Sequence, residues 1–498
     1  MNIRQAKEYI KDSVRLYLKK DEFGEYRIPI VRQRPIFLLG APGIGKTAIM
    51  EQVASELSIA LVSYSMTHHT RQSALGLPYI TEKEYEGENF QVSEYTMSEI
   101  IASIYETMEG SGIKEGILFL DEINCVSETL APSMLQFLQY KTFGKHRVPE
   151  GWIIVTAGNP PEYNKSVREF DVVTMDRLKV LEVEADYDAW KTYAREMGIH
   201  GAIVSFLELK KEYFYHIETT VKGRLYVTAR GWEDLSQILY LYEEEKLPVS
   251  EALIGQYIRN DKIVKEFGAY YDLYQKYKKD YHVDEILGGT VTEAIVKKAE
   301  KAPFDERLSL LGMLMDKMLS DIKENMETGA YLQDMMAPLR AVKDAGDGLD
   351  MLDKQIQARE KIMQNLAKGG SLSPADKKKH KRILHFLEKC KKEAVTNKQT
   401  ATDQVFALIK ERFDEEVSRM KQDTELCQSK LSALFDFVEQ AFSQGNEMLI
   451  LVTELTVNND SSRFIATFGC EAYQRQNRQL MLSERTEQLA QEIRELKL

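Results

Sequence analysis

The sequence predicts a P-loop αβα domain with a parallel five-stranded sheet, an α-helical lid and a long all-α, coiled-coil-like C-terminal region. Between residues 35 and 185, apolar strand-like runs alternate with helical stretches, the pattern of a parallel sheet covered by helices on both faces. From about residue 303, glycine and proline become sparse and long charged segments with helical spacing take over. The predicted strands are Ile36–Leu39, Ala60–Ser65, Gly116–Leu120, Trp152–Ala157 and Lys179–Val183.

Composition limits the class of protein. The chain has 498 residues, of which 43% are hydrophobic and 29% charged, as in soluble proteins with many helices. Its net charge of −12 does not indicate a general polyanion-binding surface. The four cysteines are far apart and lack metal-ligand spacing, so we expect reduced thiols in a cytoplasmic protein. No run approaches the roughly 18 apolar residues that span a bilayer, and the polar N-terminus predicts no signal peptide.

The first predicted strand runs into a glycine-rich loop, Gly40-Ala-Pro-Gly-Ile-Gly-Lys-Thr47, which fits the phosphate-binding pattern G-x-x-x-x-G-K-[ST]. Such glycines let successive N–H groups point at phosphate oxygens, and the following helix adds a partial positive charge. Lys46 can reach the β- and γ-phosphates, and the Thr47 hydroxyl can ligate Mg²⁺. A plain glycine turn is the alternative, but the flanking strand and helix favour a nucleotide. The predicted binding residues are Ala41, Pro42, Gly43, Ile44, Gly45, Lys46, Thr47 and Ala48.

Two adjacent carboxylates, Asp121 and Glu122, follow the apolar run that begins at Gly116. A parallel strand would place them at the carboxyl edge of the sheet, beside the glycine-rich loop. There Asp121 can hold Mg²⁺ through water, and Glu122 can polarise a water for attack on the γ-phosphate. The alternative is a strand that ends in solvent-exposed acids.

Three further positions are candidates for the same chemistry. Asn159, which ends the next strand-like run, could orient the lytic water, although Gly-Asn-Pro alone would be a turn. Arg177 could project to a neighbouring subunit's nucleotide as an arginine finger, with Arg168 as the rival and a surface arginine as the alternative for both. Arg230 could reach the γ-phosphate from a helical lid.

Five motifs together resemble those of the AAA+ ATPases, and more closely those of the MoxR branch. They are Gly40–Thr47, Leu118–Asn124, Ala157–Pro160, Met175–Leu178 and Thr228–Trp232. The stretch 147–160 is also similar to that branch's lead-in to sensor 1. The resemblance covers about residues 1–275 and implies the following roles: Lys46 and Thr47 in Walker A, Asp121 and Glu122 in Walker B, Asn159 as sensor 1, Arg177 as the arginine finger and Arg230 as sensor 2.

The match has two departures. Cys125 stands where MoxR proteins usually have arginine, and Met175-Asp-Arg-Leu178 stands where Leu-Asp-Arg-Phe is common. Both departures concern subunit contacts rather than the nucleotide chemistry. The C-terminal third matches no MoxR pattern.

We predict three domains. Residues 1–185 form the nucleotide-binding core, with an insertion near 67–93 that resembles the pore-facing helix-2 insert of this clade. Residues 186–300 form a helical lid and linker, and residues 301–498 a helical C-terminal domain with hairpins or short coiled coils. Within it, the basic run Lys377–Arg382 is expected to be a solvated helix face rather than a binding patch.

The resemblance implies an enzyme that hydrolyses ATP with Mg²⁺ at intersubunit sites of a ring, expected to be a hexamer, and remodels or assembles a protein client. MoxR proteins act with von Willebrand A-domain (VWA) proteins; this chain lacks the Asp-x-Ser-x-Ser signature, so such a partner would be a separate chain. The alternative is a nucleic-acid-stimulated AAA+ motor or switch, which the acidic balance and the absence of a helix-turn-helix or zinc motif disfavour. A third possibility is an ATP-dependent scaffold built around the C-terminal coiled coils.

Overall fold

A computed structural model describes residues 1–68, 74, 76–163, 166–220, 223–398, 401–443 and 445–480. Its contacts define two compact units. Unit 1 comprises Met1–Ala189 and Asp353–Glu388, and unit 2 comprises Trp190–Leu352 and the described residues from Lys389 on. The domain boundaries near residues 185 and 300 remain a prediction. Residues 69–73 and 75 of the predicted insertion lie outside the described part of the chain.

Strands are described between Ile36 and Val227, and from Ala229 on the described elements are helices. The strands are β1 (Ile36–Gly40), β2 (Ala60–Ser65), β3 (Pro78–Tyr85), β4 (Glu88–Tyr95), β5 (Gly116–Asp121), β6 (Thr142–Phe143), β7 (His146–Arg147), β8 (Trp152–Gly158), β9 (Lys179–Val183), β10 (His216–Thr220) and β11 (Gly223–Val227). The helices are α1 (Ile3–Tyr17), α2 (Lys46–Leu57), α3 (Glu99–Ser111), α4 (Ala131–Tyr140), α5 (Val172–Arg177), α6 (Tyr187–Met197), α7 (Gly201–Leu209), α8 (Ala229–Glu244), α9 (Glu251–Tyr257), α10 (Asp261–Tyr281), α11 (Val283–Leu287), α12 (Glu293–Lys301), α13 (Phe304–Lys343), α14 (Gly348–Lys368), α15 (Pro374–Thr396), α16 (Thr402–Phe442), α17 (Asn446–Val457) and α18 (Asn459–Phe468).

Unit 1 is built on a five-stranded parallel sheet in the order β2-β5-β8-β1-β9. The five predicted strands are confirmed. Every residue of β8 is buried, as expected for a central strand with helices on both faces. Side chains of β1, β5 and β8, among them Phe37, Leu118 and Trp152, join residues of α3 and α4 in one hydrophobic core. The carboxyl ends of all five strands therefore lie along one edge of the sheet.

A segment from the C-terminal third covers the free edge of this sheet. The Leu61 N–H of edge strand β2 donates to the carbonyl oxygen of Gly369, at 2.8 Å, in the turn between α14 and α15. Gly370 has a φ of +65°, and a Cβ there would lie 2.5 Å from the Leu61 carbonyl oxygen. An uncovered edge strand is a site for unwanted strand pairing, which this turn blocks at Leu61.

Two β-hairpins extend from unit 1. In β3–β4, Tyr79, Lys83 and Tyr85 share one face and Glu82 and Glu84 the other, because side chains alternate along a strand. Glu94, paired with Tyr79 in register, forms ion pairs with Lys83 and with the Lys145 side chain of the β6–β7 hairpin. The first face is therefore held against β6–β7.

Unit 2 is mainly helical. Its longest helices, α13 and α16, pack antiparallel over a core that includes Leu314, Phe435 and Phe464. Within this pair the buried Asn325 amide donates to the Thr424 hydroxyl at 3.0 Å, and such a buried polar pair fixes the register of two helices. No helix in the described ranges has both the length and the apolarity needed to cross a membrane.

One element of unit 2 departs from the sequence analysis, which treats residues 186–300 as helical. An antiparallel hairpin, β10–β11, interrupts the helices there. Its strands have five residues each. Most of the side chains described for β11 are exposed or half-buried. They form no apolar run of the kind that identified the core strands.

We expect Gly370→Ala to destabilise unit 1 more than Gly87→Ala. Both glycines have positive φ, so each alanine costs ~1 kcal/mol of backbone strain. Open space surrounds Gly87, whereas a Cβ at Gly370 collides with Leu61. Hydrogen exchange would report faster exchange of the Leu61 amide in Gly370→Ala only, and equal exchange in the two variants would contradict the edge contact.

Burial also makes Lys141 a source of pH-dependent stability. It is 2% exposed, and burial lowers its pKa to about 8, against 10.5 for the free side chain. Between these pH values the unfolded chain binds more protons than the folded chain, so stability rises with pH. We expect Lys141→Met to stabilise the protein at pH 7, by on the order of 3 kcal/mol, with the gain shrinking above pH 8. Urea titrations at pH 7 and 9.5 would measure it, and an equal gain from the exposed Lys114→Met would contradict it.

Candidate functional site

The glycine-rich loop connects β1 to α2. Gly43 and Gly45 have φ values of +75° and +96°, which L side chains disfavour. At Gly40 a Cβ would lie 2.6 Å from the carbonyl oxygen of Val183 on β9. The loop thus needs glycine at these positions for backbone conformation or close packing, and it ends at the N-terminus of α2, where unpaired N–H groups favour an anion.

Lys46, the first residue of α2, is 8% exposed. Its ammonium donates to the carbonyl oxygens of Gly40 and Ala41, at 2.7 and 2.8 Å, and to Asn159 Oδ1 at 2.9 Å. These three carbonyl and amide oxygens hold the ammonium group in a largely buried place. A phosphate group fits this charge and the adjacent helix N-terminus.

Thr47 and Asp121 meet beside this amine. The Thr47 hydroxyl donates to Asp121 Oδ2 at 3.1 Å, and the other carboxylate oxygen accepts the Glu122 N–H at 2.9 Å. A hydroxyl and one carboxylate are a donor set that Mg²⁺ takes together with substrate phosphates. No group of three or more His, Cys, Asp or Glu side chains among the described residues could hold a metal on its own. The hydroxyl and carboxylate of Thr47 and Asp121 fit a cation that arrives with a nucleotide.

Glu122 has a left-handed backbone, with a φ of +56°, which costs on the order of 1 kcal/mol. Its Oε2 accepts hydrogen bonds from the hydroxyls of Ser65 and Thr67, both at 3.0 Å. Ser65 is paired in register with Asp121 at the ends of adjacent strands. The sequence analysis missed both hydroxyls, although polar residues at the end of a predicted strand could have indicated them.

Asn159 follows β8 and approaches Lys46 from the other side of the loop. Its backbone carbonyl accepts a hydrogen bond from Asn124 Nδ2 at 2.8 Å. The buried Asn124 packs so closely that a Cβ on Gly158 would lie 2.5 Å from its Oδ1. Asn124 thus holds the segment that carries Asn159, a role not assigned to it from sequence.

Cys125, which departs from the MoxR motif, follows directly. Its thiol is half-buried. Burial, together with the carboxylates of Glu122 and Asp121, raises the pKa of the thiol. It therefore stays protonated at neutral pH and adds no charge beside the carboxylates.

Two of the three candidate arginines, Arg177 and Arg168, belong to unit 1. Arg177 is exposed at the end of α5 and donates to Gln139 at 2.7 Å. The exposed Arg168 pairs with Glu128, at 2.6 Å. Arg230 belongs to unit 2, near the N-terminus of α8. The structure thus brings together Lys46, Thr47, Asp121, Glu122 and Asn159, and none of the three arginines is among these hydrogen-bonded residues.

Comparison with known proteins identifies this region. A family model described as the AAA domain (dynein-related subfamily) matches residues 35–178. Among solved structures, a candidate ATPase from Cytophaga hutchinsonii is similar, with 17% identity and a TM-score of 0.24, and the match covers 39% of this chain and 56% of that one. No curated protein matches the sequence. Residues 35–178, with the glycine-rich loop and the two carboxylates at the carboxyl edge of the five-stranded sheet, therefore form an AAA domain.

Proposed function

We propose that this chain is a MoxR-like AAA+ ATPase that hydrolyses ATP to remodel or assemble protein clients. The observation that carries the proposal is the meeting of Lys46, Asn159, Thr47, Asp121 and Glu122 at one edge of the sheet. A buried cation for phosphate, a hydroxyl–carboxylate pair for Mg²⁺ and a second carboxylate are the parts that phosphoryl transfer to water requires.

Each residue has a distinct role in this proposal. Lys46 binds the β- and γ-phosphates, and Thr47 with Asp121 holds Mg²⁺, which supplies charge neutralisation when bound. Glu122 accepts a proton from the attacking water, and Asn159 orients that water. Ser65 and Thr67 keep the Glu122 carboxylate in one orientation. The loop residues Ala41 to Gly45 and Ala48 surround the phosphates.

The remaining roles depend on assembly. We propose that the sites are completed between subunits of a ring, expected to be a hexamer in the cytoplasm. Arg177 is exposed at a helix end and is bonded to the neutral Gln139, which supports its role as arginine finger, whereas Arg168 pairs with the charged Glu128. Arg230 would be sensor 2, acting from the lid. A VWA-domain protein on a separate chain is the proposed partner.

The β3–β4 hairpin supports a protein client. Tyr85 is 51% exposed and Phe90 is also solvent-facing, and both lie on the face of the hairpin opposite Glu82 and Glu84. Exposed apolar side chains on a projecting element are suited to hold an unfolded or extended polypeptide. A nucleic-acid-stimulated motor is the alternative, and stimulation of ATPase activity by DNA or RNA but not by protein would favour it.

We expect Glu122→Gln to lower kcat at least about 100-fold while ATP still binds, because a general base contributes roughly 10²–10⁴ to rate. Lys46→Ala should abolish ATP binding. Glu86→Gln is a matched control, since Glu86 also has a positive φ but is exposed on a hairpin turn. Phosphate release and nucleotide-binding assays would test this. Wild-type rates in both site variants would refute the assignment.

The double change Ser65→Ala, Thr67→Ala should lower kcat roughly 3- to 30-fold and leave KM for ATP nearly unchanged. The two lost hydroxyls bind the Glu122 carboxylate, whereas the phosphates contact the loop and Lys46, so ATP binding should change little. Each hydrogen bond to a charged group contributes about 1.5–3 kcal/mol, and water replaces part of this contribution in the variant. Ser63→Ala, on the same strand but exposed, is the control. A rise in KM at constant kcat would show that these hydroxyls do not orient the base.

A further inference from the structure

The turn of the α14–α15 hairpin is a fixed part of unit 1. Its Gly369 and Gly370 are held against Leu61 on the sheet edge, and Gly110 and Ser111 at the end of α3 pack against the same turn. Residues 353–388 thus present a helical surface that is anchored to the AAA domain. Any charge on this surface has a defined place relative to the sheet.

The first turns of α15 have two opposite faces. Ile383, Leu384 and Leu387 are buried. Because residues three and four apart share a helix face, the exposed side chains on the opposite face lie in one stripe. They are Lys377, Lys378, Lys381, Arg382 and His385. Residues 353–388 contain nine Lys and Arg against four Asp and Glu, a net charge of +5, whereas the whole chain carries −12.

An acidic surface of complementary spacing lies on the β3–β4 hairpin. Its first face is held by the Glu94–Lys145 ion pair, which leaves the second face, with Glu82 and Glu84, exposed. Carboxylates two residues apart on a strand are spaced by about 7 Å. Lysines four residues apart on a helix, such as Lys377 and Lys381, are spaced by about 6 Å. The two rows can therefore pair residue by residue.

We propose that the Glu82–Glu84 face of one copy docks against the Lys377–Lys381 face of a second copy when the chain assembles. The inference rests on the proposed ring and specifies one contact between its subunits, and it replaces the expectation that Lys377–Arg382 is only a solvated helix face. Opposite net charge favours this partner. A nucleic acid is a less suitable occupant, because the rest of the chain is acidic and the exposed stripe from Lys377 to His385 carries no Phe, Tyr or Trp on which bases could stack.

Charge reversal tests the contact. Two double variants are made in a Glu122→Gln background with ATP. One combines Lys377→Glu with Lys381→Glu, and the other combines Glu82→Lys with Glu84→Lys. Each should weaken assembly at least about tenfold, because like charges then face each other. The quadruple variant should restore assembly to within about threefold of the parent. Lys265→Glu, Lys276→Glu changes two exposed lysines of α10 and should have no effect. Mass photometry across a concentration series, with circular dichroism to confirm folding, gives the affinities.

A second measurement does not depend on reversed charges. Mixing Glu84→Cys with Lys381→Cys chains under mild oxidation should give a disulfide-linked dimer that neither variant forms alone. Of the native cysteines, Cys390, Cys427 and Cys470 are buried and Cys125 is half-buried. We therefore expect little disulfide formation through the native cysteines.

The outcomes separate the contact from the ring. Normal assembly of both double variants would overturn the contact but not the proposed ring. The same conclusion would follow if the quadruple variant assembled no better than either double variant. A parent chain that stays monomeric with ATP would overturn both. Loss of binding to a fluorescent 30-nucleotide DNA in the lysine double, with assembly intact, would make this face a polyanion site instead and overturn the contact.

Discussion

The buried Lys46 ammonium is the interaction on which the rest of the site depends. It joins the start of the loop, at Gly40 and Ala41, to Asn159 at the end of β8. A buried ammonium group needs acceptor oxygens, and here they come from residues at or just after the ends of β1 and β8. The two strands must therefore be neighbours in the sheet. The order β2-β5-β8-β1-β9 then puts the carboxylates after β5 on the next strand. The positions of Asp121 and Glu122 thus follow from the same packing that buries Lys46.

The strained backbone of Glu122 is held in part by the edge strand β2. The left-handed backbone of Glu122 persists because Ser65 and Thr67 hold its carboxylate and Asp121 holds its N–H. Ser65 ends β2, whose other end is fixed by the turn of the α14–α15 hairpin. The edge strand therefore contacts the turn of the α14–α15 hairpin near one end and Glu122 near the other. A segment far along the chain thereby supports the strand that orients a site residue.

The sequence predicted the central strands β1, β5 and β8 because a strand buried on both faces is a continuous apolar run, and it predicted the edge strands β2 and β9 from their place in the alternation of strands and helices. It also predicted the glycine-rich loop and both carboxylates, since each motif is local. The β10–β11 hairpin was missed because strands with so many exposed positions leave no such run. The polar residues at the end of β2 mark Ser65 and Thr67 as candidates, but their contact with Glu122 depends on the register between β2 and β5, which no local pattern encodes. The docking of residues 353–388 depends on tertiary contacts that no local pattern encodes.

Two exposed rows of like charge in unit 1 are separate from the ion pairs that Glu94 forms with Lys83 and Lys145. Glu94 binds both Lys83 and Lys145, so the face of β3–β4 toward β6–β7 has its charges matched within the chain. Alternation along the strand then leaves Glu82 and Glu84 together on the other face, and helical periodicity leaves Lys377 and Lys381 together on α15. Like charges held in rows repel one another, so each row is more stable beside a row of opposite sign. The proposed subunit contact would supply that neighbour and would place the hairpin of one copy against the core-anchored helix of the next.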